Sequence, residues 1–101
     1  MRFHVVTIFP EMIRALTEQG LVAAAVKEKR ISIDVISPRE FTSDFHKTVD
    51  DRPYGGGDGM ILLGEPLKKA VEAIQAEKPN ARVVYMSAQG TVWSDAKAKA
   101  W

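Results

Sequence analysis

The chain has 101 residues, 46% of them hydrophobic and 27% charged, with 14 basic against 13 acidic side chains and no cysteine. That is the length and make-up of one small globular domain, with no global basic field to argue for nucleic acid, though a local patch stays open. The missing cysteine excludes disulfides, thiolate metal sites and cysteine nucleophiles. No run approaches the roughly 18 apolar residues of a membrane span, and the apolar start is too short for a signal peptide, so a cytoplasmic protein with no membrane partner is expected.

Phe3 to Phe9 reads as a strand with apolar residues on both faces, the pattern of a strand covered on both sides in a parallel sheet. His4, inside it, is given no role. Pro10 then suits a first helical position, Glu11 sits at the positive end of the helix dipole, and Met12, Ile13 and Leu16 form an apolar stripe that Gly20 stops. Leu21, Val22 and Val26 suggest a second short helix. It ends in Lys27, Glu28, Lys29 and Arg30, which is either a solvated helix end or a contact for an RNA backbone. Alternation of Ile31, Ile33 and Val35 with Ser32 and Asp34 signals a second strand, closed by Ser37-Pro38. From Arg39 to Val49 no period is clean; Phe41 and Phe45 are expected to pin this loop to the core, with His46 and Lys47 outward.

The stretch Asp50 to Met60, DDRPYGGGDGM, carries the most information. Four of the five residues from Gly55 to Gly59 are glycine, a composition used where a chain needs positive φ or a close approach to a ligand. A phosphate cradle of the GxxxxGK[ST] kind needs a lysine and a hydroxyl after the glycines, and GGGDGM has neither. Asp50, Asp51 and Asp58 outnumber Arg52, so the loop suits a partner that offers hydrogen-bond donors, as the Watson–Crick edge of guanine does on N1 and its amino group. The plain alternative is a glycine-rich turn with solvated carboxylates.

Beyond the loop, Gly64-Glu65-Pro66 marks a helix start, with Leu67, Ala70, Val71 and Ile74 at core-facing spacing and Pro79-Asn80 as the stop. Val83 to Met86 reads as another doubly covered parallel strand. It leads into Ser87-Ala88-Gln89-Gly90, at the carboxyl end of a strand, where ligands gather in open α/β sheets; a simple strand-to-loop turn is the alternative. Ser94 is a good N-cap for a helix from Asp95. Trp93 and Trp101 have little sequence to cover them, and the chain is read as the N-terminal part of a longer protein.

Four segments together resemble the bacterial tRNA (guanine-N1)-methyltransferase family of the SPOUT class: IFPEM at Ile8 to Met12, ISIDVISPREF at Ile31 to Phe41, HKTVDDRPYGGGDGM at His46 to Met60, and YMSAQG at Tyr85 to Gly90. The resemblance covers essentially the whole chain, in order. It implies an α/β fold, a parallel sheet with flanking helices, in which residues 1–101 form a single truncated N-terminal part of a SPOUT domain with its trefoil knot incomplete. It implies transfer of a methyl group from S-adenosylmethionine to N1 of the guanine 3′ of the tRNA anticodon, with tRNA as partner and a homodimer whose active site lies between subunits. By the same resemblance, Tyr85, Met86, Ser87, Ala88, Gln89 and Gly90 would line part of the S-adenosylmethionine pocket. Asp50, Arg52, Tyr54, Gly55, Gly56, Gly57, Asp58 and Gly59 would form the loop against the guanine.

Family members often carry proline where this chain has Ala88 and again where it has Asp58. The arginine and aspartate credited with catalysis lie beyond Trp101 in the family, so no catalytic residue and no metal ligand is assigned within the chain. Methylating N1 requires loss of its proton to a base; Asp50 and Asp51 are the carboxylates nearest the loop, and the resemblance gives them loop support or base contact instead. The alternative of another class is a non-catalytic RNA-binding or protein-interaction module of the same fold.

Overall fold

The computed structural model describes all 101 residues. Strand β1 (Arg2–Val6) is followed by helices α1 (Pro10–Glu18) and α2 (Gly20–Lys27), then strand β2 (Ser32–Ile36) and a 3-10 turn (Pro38–Phe41). Two short strands, β3 (Asp50–Asp51) and β4 (Ile61–Leu62), frame the glycine loop; α3 (Gly64–Glu77) and α4 (Asp95–Ala100) complete the chain. β1 and β2 run parallel, Arg2 beside Ser32 through Val6 beside Ile36. β3 and β4 pair antiparallel. The α/β class with a parallel sheet and flanking helices therefore holds.

Local rules account for the helix ends. Pro10 opens α1, and Gly20, with φ at +73°, takes the left-handed turn between α1 and α2. α2 ends in a Schellman arrangement: Arg30 N–H donates to the Ala25 carbonyl and Lys29 N–H to that of Val26, with Lys29 in the left-handed region. Glu28 pairs with Arg30 at 2.8 Å, so this basic cluster completes a helix end. Ser94 caps α4, its hydroxyl accepting from Lys97 N–H at 3.1 Å.

Long-range packing departs from the pattern in three places. Met12 and Leu16 are exposed, and only Ile13 of the α1 stripe is half-buried. Phe45 is 94% exposed, whereas Val49 is 1% exposed, so Val49 anchors the segment that Phe45 was expected to pin. Val83 to Met86 forms no strand: none of its backbone groups makes a backbone hydrogen bond, and Tyr85 and Met86 are 80% and 84% exposed. A continuous apolar run fits a strand only if neighbours cover it, and periodicity carries no information about neighbours. Trp93 and Trp101 cover each other in part, edge to face with ring centres 4.9 Å apart, and Arg82 lies over the Trp101 ring at 4.8 Å.

The buried residues are Pro38, Val49, Pro66 and Ala70. Pro38, Pro66 and Ala70 belong to the 3-10 turn and α3, which pack on each other, and Val49 stands at the base of the glycine loop. Elsewhere the chain is open: its radius of gyration is 15.8 Å, against about 13 Å for a compact chain of this length. With so small a core, one buried side chain matters more than its size suggests. Val49→Ala is expected to lower unfolding stability by about 2 kcal/mol, while Phe45→Ala, a larger truncation, changes it by less than about 0.5 kcal/mol. Urea titrations of the two variants check this; equal losses would show that Phe45 does pin the loop.

Candidate functional site

The glycine loop is built on a narrow neck. Val49 is buried, its carbonyl accepts from Leu63 N–H at 2.7 Å, and Asp50 and Asp51 then pair with Leu62 and Ile61. Residues 52–60 project from this neck. Gly56 N–H donates to the Pro53 carbonyl at 3.0 Å, closing a turn with Gly55 at its third position. Gly55, Gly56, Gly57 and Gly59 have φ of +85°, +91°, +115° and +90°, a run that side chains with a Cβ adopt only under strain. No heavy atom beyond the chain neighbours lies within 4 Å of where a Cβ would stand on any of them, so it is conformation and not crowding that demands glycine here.

The side chains of the loop are open to a partner. Asp51 Oδ1 accepts from Arg52 N–H at 2.7 Å, which makes Asp51 a support of the loop's first bend. Asp50 is half-buried in the ladder, and Tyr54, Arg52 and Asp58 are exposed. Asp50, Arg52 and Asp58 form no ion pair or side-chain hydrogen bond. The group of residues from Asp50 to Gly59 named from the sequence is thus brought together on one projection, with carboxylate and carbonyl acceptors and free backbone N–H groups.

The segment Tyr85–Gly90 forms a tight turn. Gly90 N–H donates to the Ser87 carbonyl at 3.1 Å, and Ser87 Oγ accepts from Gln89 N–H at 3.2 Å. A Cβ on Gly90 would meet the Ser87 carbonyl oxygen at 3.2 Å, a tight contact that a larger residue would relieve only by a small shift of the turn. Tyr85, Met86, Ser87, Ala88, Gln89 and Gly90 are all exposed. They present an aromatic face, a hydroxyl, an amide and unpaired backbone groups on an open surface. No hydrogen bond or ion pair joins this turn to the glycine loop. Two open clefts, of about 420 and 300 Å³, lie around Met1, Arg2 and Lys29 and around Arg2, His4 and Lys78; no residue of either candidate segment lines them.

Two features at the loop's base escaped the sequence reading. Asp44 accepts from Thr48 Oγ1 at 2.6 Å and from Thr48 N–H at 3.1 Å, and Arg39 Nη1 donates to the Lys47 carbonyl at 3.0 Å. The signal for the first was present: an aspartate with a threonine four residues on, in a segment without a period, is a local side-chain-to-backbone turn. The second feature has no sequence signal. His46 is exposed and edge-on to Phe45. His4 lies with Nδ1 3.6 Å from Asp34 Oδ2, and Arg2 donates to that oxygen at 2.8 Å.

A family model described as "tRNA (Guanine-1)-methyltransferase TrmD" matches residues 1–101. The chain belongs to this family. It is 51% identical over 92 residues to the tRNA (guanine-N(1)-)-methyltransferase of Methylococcus capsulatus, covering 90% of this chain and 37% of that protein. The protein of the same description from Marinomonas sp. is 48% identical over 90 residues, 89% of this chain and 36% of its own length. The crystal structure of a tRNA (m1G37) methyltransferase from Aquifex aeolicus superposes with a TM-score of 0.69 at 39% identity, over 76% of this chain and 34% of that one. The chain thus spans little more than a third of the length of these relatives. No helix is long and apolar enough to cross a membrane.

Thr48, by its hydroxyl first and its backbone N–H second, holds the Asp44 carboxyl below the usual carboxylate range. A depressed folded-state value stabilises the turn above the ordinary aspartate range, and that contribution disappears as pH falls through the lower value. The Thr48 amide is therefore expected to stay protected from exchange across neutral and mildly acidic pH and to lose protection only below about pH 4; loss near pH 6 would show that the Asp44 carboxylate is not what holds it. The loop from Arg52 to Gly59, which has only local hydrogen bonds, is expected to be the first site cut in limited proteolysis, well before β1. Equal protection of the two segments would show the loop to be held by contacts beyond its neck.

Proposed function

We propose that this chain is the part of a tRNA methyltransferase that presents the target guanine, in an enzyme transferring a methyl group from S-adenosylmethionine to N1 of the guanine 3′ of the tRNA anticodon. The observation that carries the reading is the glycine loop: four left-handed glycines on a two-residue ladder, acidic and acceptor-rich, within a chain that matches the family along its whole length.

In this reaction N1 of guanine forms a bond to the methyl carbon, the bond from that carbon to sulfur breaks, and the N1 proton passes to a base. S-adenosylmethionine supplies the methyl group when bound. Asp50, Arg52, Tyr54, Gly55, Gly56, Gly57, Asp58 and Gly59 receive the base. Acceptors on the loop match the N1–H and amino donors, the bare glycine backbone permits close approach, and Tyr54 is free to stack. Tyr85, Met86, Ser87, Ala88, Gln89 and Gly90 form one wall for the adenosine. A small-ligand site buries most of its ligand, so an exposed turn needs a second wall. A homodimer with its active site between subunits supplies such surface, and the exposed apolar groups Met60, Ile61, Met86 and Trp93 are suited to it. The base that takes the N1 proton lies outside residues 1–101, and Asp50 and Asp51 serve the loop. An enzyme acting on tRNA in this way works in the cytoplasm.

The test is a chimera in which residues 1–101 replace the matching part of the Methylococcus capsulatus relative, assayed for N1-methylguanine on unmodified tRNA. Transfer is expected; a folded chimera that binds tRNA and leaves the guanine unmethylated overturns the reading. In the same chimera Gly59→Ala places a Cβ at φ +90°, which costs about 1–2 kcal/mol in the loop conformation and lowers transfer about tenfold with little change in thermal midpoint. Unchanged transfer, or a loss matched by unfolding, would remove Gly59 from the guanine site.

A further inference from the structure

The glycine loop has no anchor of its own. Between Arg52 and Met60 its hydrogen bonds are the bond from Gly56 to Pro53 and the bond from Arg52 to Asp51, both local. What orients it must lie in the neck, and the neck's ladder is only two residues long on each side. Register in so short a ladder is weakly specified, and a one-residue slip would turn Asp50 and Asp51 to opposite faces.

Just before the neck the chain is tied into a small ring. Both carboxylate oxygens of Asp44 lie 3.1 Å from Thr48 N, and Oδ2 accepts from Thr48 Oγ1 at 2.6 Å. Lys47 N–H donates to the Asp44 carbonyl at 3.2 Å. Lys47 itself sits at φ +52°, a left-handed conformation that a lysine adopts when its surroundings hold it there, and Arg39 Nη1 holds its carbonyl at 3.0 Å. After Thr48 comes Val49, which is buried, and then Asp50.

We propose that Asp44 is a positioning residue for the guanine loop: by closing the Asp44–Thr48 ring it sets the direction in which the chain leaves Thr48, and hence the register of Asp50 and Asp51 in the ladder. Arg39, through the Lys47 carbonyl, is its second clamp. Asp44 is exposed, makes no hydrogen bond or ion pair with the loop residues from Arg52 to Gly59, and acts through Thr48 and Val49. This role rests on the methyltransferase reading for its consequence, and on the chain's own geometry for its mechanism.

The experiment has two arms, so that failure of the mechanism and failure of the enzymatic reading are told apart. In the 101-residue chain, amide exchange is followed by NMR for Asp44→Ala, Asp44→Asn and Thr48→Val. Asp44→Ala is expected to speed exchange at Thr48, Asp51 and Leu63 by about tenfold or more, while β2 is unaffected. Asp44→Asn, which retains one acceptor oxygen, recovers part of the protection. Thr48→Val keeps the side-chain shape, loses the hydroxyl bond and shows a smaller effect of the same kind; it decides the matter if Asp44→Ala does not fold. Unchanged exchange at Asp51 and Leu63 overturns the proposal. In the chimera, Asp44→Ala is expected to lower kcat about tenfold with the KM for S-adenosylmethionine unchanged, and Asp44→Asn to rescue part of the loss. A loosened neck with normal kcat overturns the positioning role. A wild-type chimera without transfer counts against the enzymatic reading, and the exchange arm still decides whether Asp44 sets the neck.

Discussion

The hydrogen bond from Leu63 N–H to the Val49 carbonyl, at 2.7 Å, is the contact on which the candidate site depends. It joins the two ends of the glycine loop beside the most deeply buried large side chain of the molecule. The other buried residues, Pro38, Pro66 and Ala70, belong to the 3-10 turn and α3, which pack on each other on either side of this contact in sequence. The best-packed region therefore lies under the least constrained one. A loop whose own residues make almost no lasting contacts can still be aimed, provided its two ends leave a rigid base in fixed directions. Removing water from an amide pair beside Val49 also strengthens that pair, because the alternative partner, solvent, has poor access.

How much of this was legible in the sequence depends on the range of the interaction. Short-range chemistry read well. Pro10 opens α1, Gly20 takes the left-handed turn after it, Ser94 caps α4, and the glycines of the loop do adopt positive φ. Each of these follows from one residue's own sterics or one side-chain oxygen. The core stripe of α3 read in part, with Ala70 buried and Leu67, Val71 and Ile74 half-buried. Where the outcome depends on what packs against what, pattern was not enough. Phe45 and Val49 are four residues apart and both apolar, and the larger one is outside. Met12 and Leu16 hold a helical spacing with no neighbour to use it. Val83 to Met86 has the composition of a covered strand and no cover.

Charge follows the same division. Surface pairs such as Arg2 with Asp34 and Lys99 with Asp95, each at 2.8 Å, stand at exposed positions and contribute little to stability. The loop's carboxylates behave differently by having no cation to satisfy them: Arg52 gives its backbone N–H, not its guanidinium, to Asp51. Acceptors left without partners on a flexible projection are poorly suited to a phosphate and well suited to the donors on a base edge. Under the proposed function, acidity at Asp50 and Asp58 favours the nucleobase over the backbone of an RNA partner, even though such a partner as a whole is a polyanion.

The resemblance to the family sets proline where this chain has Ala88 and Asp58, and the turn geometry shows what a proline would do there. Ala88 is the second residue of the Ser87–Gly90 turn, the place where proline pre-sets φ. Asp58 stands between Gly57 and Gly59, whose φ values are +115° and +90°. Replacing proline with another residue frees the backbone before binding, and each such change is worth about 0.4–1 kcal/mol of added entropy to lose. Without proline, both segments are less pre-formed before a ligand binds. The ordering that proline would supply within the loop has to come from outside it, at the end where the chain is tied: Asp44 to Thr48, Arg39 to Lys47, and Leu63 to Val49. A loop that is freer at its tip places a greater share of its geometry in its neck, where Val49 is buried and its carbonyl is paired with Leu63 N–H.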